Sequence, residues 1–175
     1  MNEITSKNFI LEVLLALNEK NIPATKIFLH KFVYFLTLQN YSKLFRFEPY
    51  TYGPFSFGLA QEVERLIFWD EVELEGKKIK LADDINRKAD TCRLEVLSAN
   101  IDIFMNLIGK STSFDNLEKI GTILYCMEAL KKQHMEISFE NVKEEFKGWK
   151  GNKYPDSQIE EAYKKVSVKL PVALQ

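Results

Sequence analysis

The side chains that could do chemistry in this 175-residue chain are few and scattered. A metal site needs several ligands at close spacing. His30 and His134 are far apart, and neither Cys92 nor Cys126 has a histidine or second cysteine nearby. Glu62 and Glu64 stand two apart on a predicted helix, so they point to different sides and do not pair as acid and base. Ser56 follows Gly53-Pro54 but opens a helix, and reads as its cap rather than as a nucleophile. The phosphate-cradling loop, the dinucleotide fingerprint and the nucleophile elbow are absent. The expectation is a non-enzymatic protein without catalytic residues, metal or cofactor.

What remains is recognition chemistry, concentrated in Phe45-Arg-Phe-Glu-Pro-Tyr-Thr-Tyr-Gly-Pro-Phe-Ser-Phe57. Six of these thirteen residues are aromatic, and two prolines and a glycine stiffen the run. Rings at this density bury against something, whether core or interface. Phe45 to Tyr52 reads as extended, and Gly53-Pro54 as a turn.

The elements that must position this segment follow from periodicity. Residues 7–20 carry Phe9, Ile10, Val13, Leu14 and Leu17 at helical spacing, with Thr5 or Ser6 as cap. A second helix, capped by Thr25, runs to about Asn40 and is apolar nearly all round, which makes it central. Its polar exceptions include His30, Tyr34 and Thr37, which form one stripe. That stripe is a hydrogen-bonded core or solvent edge on one reading and faces a ligand or partner on the other. Ser56 caps a third helix to about Trp69, with Leu59, Val63, Leu66 and Ile67 inward. Val72 to Leu81 alternates as a hairpin around Gly76, with an acidic arm facing a basic one. Residues 83–90 are polar and read as a linker. Past them the chain is all-helical: Cys92 to Ile108, then Phe114 to Lys132 opened by Asp115-x-x-Glu118, then Ser138 to about Gly148, then a last helix opened by Ser157-x-x-Glu160. The fold class is therefore mainly α. A winged-helix-like part with a short β-hairpin spans 1–83, and a helical part spans 84–175.

Composition bounds the partners. With 46% hydrophobic residues, thirteen Phe and seven Tyr, a core is accessible without disulfides. Each cysteine lies in a helical segment, so buried thiols are expected rather than a disulfide. No apolar run approaches the ~18 residues of a membrane span. The N-terminus lacks a signal-peptide pattern. The expectation is a cytoplasmic protein with no membrane contact.

The net charge of −1 points to no nucleic acid. Residues 47–76 hold seven acids against Arg65 alone, a local charge of −6 that phosphates repel. Residues 77–93 are net +3, through Lys77, Lys78, Lys80, Arg87, Lys88 and Arg93. A DNA-binding regulator would use Gln61, Arg65, Lys77, Lys78 and Lys80, as a homodimer aligning two wings.

The run His30-Lys31-Phe-Val-Tyr-Phe35, then Tyr50-Thr-Tyr-Gly-Pro-Phe-Ser56, then the helix from Leu59 to Leu66, resembles the Panacea-domain (SocA-like) proteins of bacteria, archaea and phages. Lys31, Tyr34, Tyr52, Gly53, Pro54 and Ser56 sit on that pattern, which covers about a third of the chain. Trp149-Lys-x-x-Lys-Tyr-Pro and the helix after it look similar to helical tails of relatives. The resemblance implies a protein that binds other proteins, as an antitoxin for a toxin or as an adaptor of a mobile-element or defence locus. The partner-facing residues would be Tyr50, Tyr52, Gly53, Pro54, Phe55 and Phe57, flanked by Glu62 and Arg65 on the exposed side of the third helix.

Overall fold

The computed structural model describes residues 4–82 and 90–169. Residues 83–89 of the predicted linker, Arg87 and Lys88 among them, lie outside the described residues. In order, the elements are α1 (Ser6–Glu19), α2 (Lys26–Leu38), β1 (Glu48–Tyr50), β2 (Gly53–Phe55), α3 (Phe57–Phe68), β3 (Val72–Glu75), β4 (Lys78–Leu81), α4 (Thr91–Leu107), α5 (Phe114–Lys132), α6 (Phe139–Lys150) and α7 (Asp156–Lys169). The described part is mainly helical, with two small antiparallel hairpins, β1–β2 and β3–β4.

The helix starts follow local chemistry. The hydroxyls of Thr5, Thr25, Ser56 and Ser138 accept the backbone N–H groups of Asn8, Phe28, Leu59 and Asn141, each satisfying a donor that the first turn leaves orphaned. Asp90 does the same for Arg93.

Two helices organise the interior. Ten of the thirteen residues of α2 are buried, so it is enclosed on every side. It packs against α4, α5 and β2. Phe104 of α4 meets Phe28, Phe32 and Phe35 at 5.4–5.5 Å. The second organiser, α5, packs against α2, α6, α7 and β2. Buried apolar residues from both sides of the undescribed linker form one cluster. A bidentate contact from Arg93 to the buried Glu12 ties α4 to α1.

Several sequence expectations change. Gly53 and Pro54 form β2 rather than a turn; the turn is Thr51–Tyr52, and the register pairs Glu48 with Phe55, Pro49 with Pro54 and Tyr50 with Gly53. Helix α5 is flanked by Ser113 without a side-chain cap, and Glu118 is buried rather than reaching back to the helix start. Glu160 pairs with Lys164 at 2.6 Å. Both cysteines are free, but Cys92 is exposed and only Cys126 is buried.

Candidate functional site

The β1–β2 hairpin is where the unusual chemistry collects. Proline has no N–H, so the directly opposed Pro49 and Pro54 form a non-hydrogen-bonded pair. That pairing turns the Pro54 carbonyl away from β1, toward α2. No strand waits there. Lys31 Nζ donates to Pro54 O at 2.8 Å, and the His30 ring reaches Ser56 O at 3.2 Å. The outward carbonyl of Pro54 in β2 and that of Ser56, the cap residue just past the strand, are thus met by neighbouring side chains of α2. His30 also faces Lys26 O at 2.8 Å and stacks on Phe55, with centroids 4.3 Å apart. A neutral imidazole has one N–H and can donate to only one of the two carbonyls. Burial lowers the His30 pKa despite them.

Beneath the hairpin lies a buried ionic cluster. Lys31 is 2% exposed and Glu118 is fully buried. Lys150 Nζ donates to Thr51 O at 2.6 Å and lies 3.0 Å from Glu118 Oε1, an ion pair rather than an aligned hydrogen bond. Lys153 Nζ donates to Glu118 Oε2 at 2.7 Å. Burial pushes the Lys31 ammonium down to about 7, helped by Lys150 and opposed by Glu118. Burial alone would raise the Glu118 carboxyl, but the hydrogen bond from Lys153 and the Lys150 charge outweigh it and hold it below its ordinary range.

Two glycines make this arrangement possible. A Cβ on Gly121 would stand 2.6 Å from Lys31 Cδ, so the bare backbone of α5 is the channel through which the lysine passes. Gly53 has φ +92°, and a Cβ there would meet Thr122 Oγ1 at 3.2 Å and Lys31 at 3.3 Å. The sequence reading placed Lys31, Lys150 and Lys153 on motifs and Glu118 in a helix cap, and did not bring the four together. The available signal was a lysine inside a helix apolar nearly all round.

The rings divide by role. Phe55 is half-buried against His30, and Gly53 and Pro54 are buried, so these three hold the hairpin rather than present side chains outward. Tyr50, Tyr52 and Phe57 are 49%, 50% and 55% exposed. Tyr50 meets Phe57 edge to face at 5.5 Å, whereas Tyr52 turns to Phe114 at 4.9 Å. Glu62, expected on the exposed side of α3, has a side chain only 13% exposed and accepts from Arg65 at 3.1 Å.

The exposed face of α3 is a continuous stripe: Phe57, Gln61, Glu64, Arg65 and Phe68. Phe68 is 76% exposed and packs edge to face on the exposed Trp69 at 5.3 Å. Both were missed, although Phe68 falls off the Leu59–Val63–Leu66 core face by helical spacing alone.

Of the residues proposed for DNA, Lys80 pairs with Glu75 at 2.5 Å and Arg65 with Glu62. Lys77, Lys78 and Gln61 are exposed. Arg93 is engaged by Glu12. No group of three or more His, Cys, Asp or Glu among the described residues is placed to hold a metal. No described helix is long and apolar enough to cross a membrane.

No protein-family model matches this chain, and no curated protein matches it.

Proposed function

We propose that this protein is a non-enzymatic protein-recognition module, of antitoxin or adaptor type, that binds its partner through α3 and the aromatic hairpin. The observation that carries this reading is the α3 stripe. Phe57 opens it and Phe68 closes it, eleven residues or about 16 Å apart at the helical rise. Tyr50 extends it at one end and Trp69 at the other. Exposed aromatics on a rigid helix are the side chains that dominate binding energy at protein interfaces. They also lose little rotamer entropy on docking. The Panacea-like pattern points the same way, toward a partner encoded by a mobile-element or defence locus.

A winged-helix-like arrangement of the first part is included in this proposal. In its support, Thr25 bridges to Lys78, and Ile79 N–H donates to Ala24 O at 2.7 Å, so the segment between α1 and α2 lies against the β3–β4 hairpin. In such an arrangement α3 is the element free to read a partner. The rival reading, a DNA-binding regulator, retains Lys77 and Lys78. It has to accommodate Glu73 and Glu75, which stand opposite Lys80 and Lys78 in the hairpin.

The test is affinity purification from the native host after nuclease treatment, with Phe57→Ala and Phe68→Ala as paired variants. Both side chains are more than half exposed, so folding survives their loss. A stoichiometric protein captured by the parent and lost from both variants supports the reading. No protein captured after nuclease, with DNA captured instead from a parallel untreated lysate and lost on Lys77→Glu with Lys78→Glu, transfers the assignment to the rival.

A further inference from the structure

A second concave surface borders β1 at Pro49. A cleft of about 550 Å³ opens between α5 and α6, with Pro49 of β1 among its lining residues. Buried Cys126 and Leu130 give it an apolar floor. Tyr125 and Trp149 meet in it edge to face, with centroids 5.1 Å apart. Burial, with the Glu145 charge beside it, pushes the Cys126 thiol up to about 12, so the floor is a neutral apolar surface at ordinary pH.

The charges of α6 are uneven in a telling way. Lys143 pairs with Glu140 at 2.6 Å, Lys147 with Asp156, and Lys150 with Glu118. Glu144 and Glu145 have no ion-pair partner among the described residues, and both line the cleft. Four residues further on, where a lysine would neutralise them along the helix, stand Gly148 and Trp149. On α5, Lys132 is held by Glu128 at 2.7 Å. The cleft thus combines two uncompensated carboxylates, two aromatic rings and an apolar floor. Carboxylates bind a guanidinium or ammonium group, ring faces attract it, and an apolar floor covers its aliphatic stem. Trp149 already carries one ammonium over its ring, that of Lys150 at 5.0 Å. An incoming cation therefore relies on Tyr125 and the two glutamates.

We propose that this cleft receives an arginine or lysine side chain presented by a polypeptide partner. This rests on the protein-recognition reading above and adds what the partner must carry. The polypeptide source is favoured by β1. All three of its residues are exposed, and the Pro49–Pro54 pairing turns the Pro49 carbonyl to the free edge of the strand beside the cleft. A passing chain finds a backbone acceptor there next to the acidic, cation-binding pocket.

The experiment uses the full chain carrying Trp69→Phe, which leaves Trp149 as the sole tryptophan. The probe is a blocked pentapeptide alternating arginine and glycine. Its controls are the same peptide with citrulline, a neutral isostere, and free spermidine. Arginine peptide is expected to give a saturable change in Trp149 emission, roughly tenfold or more weaker with the citrulline peptide. Glu144→Gln with Glu145→Gln is expected to weaken it to the same degree while leaving the thermal midpoint unchanged. Absence of a saturable change, equal binding of citrulline peptide, unchanged affinity in the double variant, or tighter binding of spermidine than of peptide each overturns the proposal. In the host purification, capture that depends on Phe57 and Phe68 but ignores the double Gln variant overturns this inference alone. Capture that ignores all of them overturns the recognition reading as well.

Discussion

The two hairpins of this protein are near neighbours in sequence and opposites in how they are held. Neither two-stranded ribbon is stable alone in water, so each depends on what it packs against. The β3–β4 hairpin is held by apolar side chains, Val72 and Ile79, and by one backbone bond to Ala24. Its charges face solvent and pair along its own surface. The β1–β2 hairpin is held by polar groups from elsewhere: His30 and Lys31 from α2, and Lys150 from α6, with Glu118 balancing the ammoniums. Apolar anchoring tolerates small shifts. Hydrogen bonds to the carbonyls of Thr51, Pro54 and Ser56 fix position and direction, which is what a surface presenting Tyr50, Tyr52 and Phe57 requires.

Breaking the polar anchor is expected to cost most. Glu118→Gln leaves buried ammonium groups without their counter-charge and should destabilise by about 3 kcal/mol, read by chemical denaturation. An unchanged midpoint would show that the cluster is solvated enough to dispense with its carboxylate.

Lys31→Met comes next, with a pH signature. The folded-state value of about 7 lies below the ordinary 10.5, so between those values the folded protein binds fewer protons than the unfolded chain. The penalty for burying the charge is therefore full below about pH 7 and is relieved as pH rises. Met removes both this titration and the donor to Pro54, an effect of about 1–3 kcal/mol from the orphaned carbonyl. The parent should exceed the variant most at pH 9, with the gap narrowing toward pH 6. A gap independent of pH would place an unperturbed amine at Lys31.

Glycine substitutions sharpen the same contrast. Gly53→Ala meets both the left-handed backbone and the Thr122 and Lys31 atoms, and should cost roughly 2 kcal/mol or more. Gly76→Ala in the β3–β4 turn has φ +61° with nothing within 4 Å, leaving only the backbone cost of about 1 kcal/mol. Equal thermal shifts would mean that the close approach at Gly53 is relieved without loss. The smallest effect belongs to Lys80→Ala. Its pair with the fully exposed Glu75 is screened by water, and the denaturation midpoint should not move.

Legibility in the sequence followed the same division. The β3–β4 hairpin was readable because Val72, Leu74, Ile79 and Leu81 alternate with charges around Gly76, a pattern contained in ten residues. Even there the ion pair runs diagonally from Lys80 to Glu75 rather than to the directly opposed Glu73. The helix caps at Thr5, Thr25 and Ser56 were readable for the same reason. The β1–β2 hairpin was not. Gly53-Pro54 carries a turn signal, but α2 captures the carbonyls of Pro54 and Ser56, and that draws the residues into a strand. Asp115-x-x-Glu118 spells a cap, yet a carboxylate among buried lysines is worth more than one at a solvent-exposed helix end.

The sequence by itself determined the helices, the charged hairpin and the abundance of rings. Each depends on side chains a few residues apart, whose geometry secondary structure dictates. Only the tertiary structure decided which rings stay exposed and which charges are buried. Lys150 meets Thr51 across 99 residues of chain, and Glu118 meets Lys153 across 35. Burial of a charge is stable only when its partners arrive together, and no local pattern records that arrival.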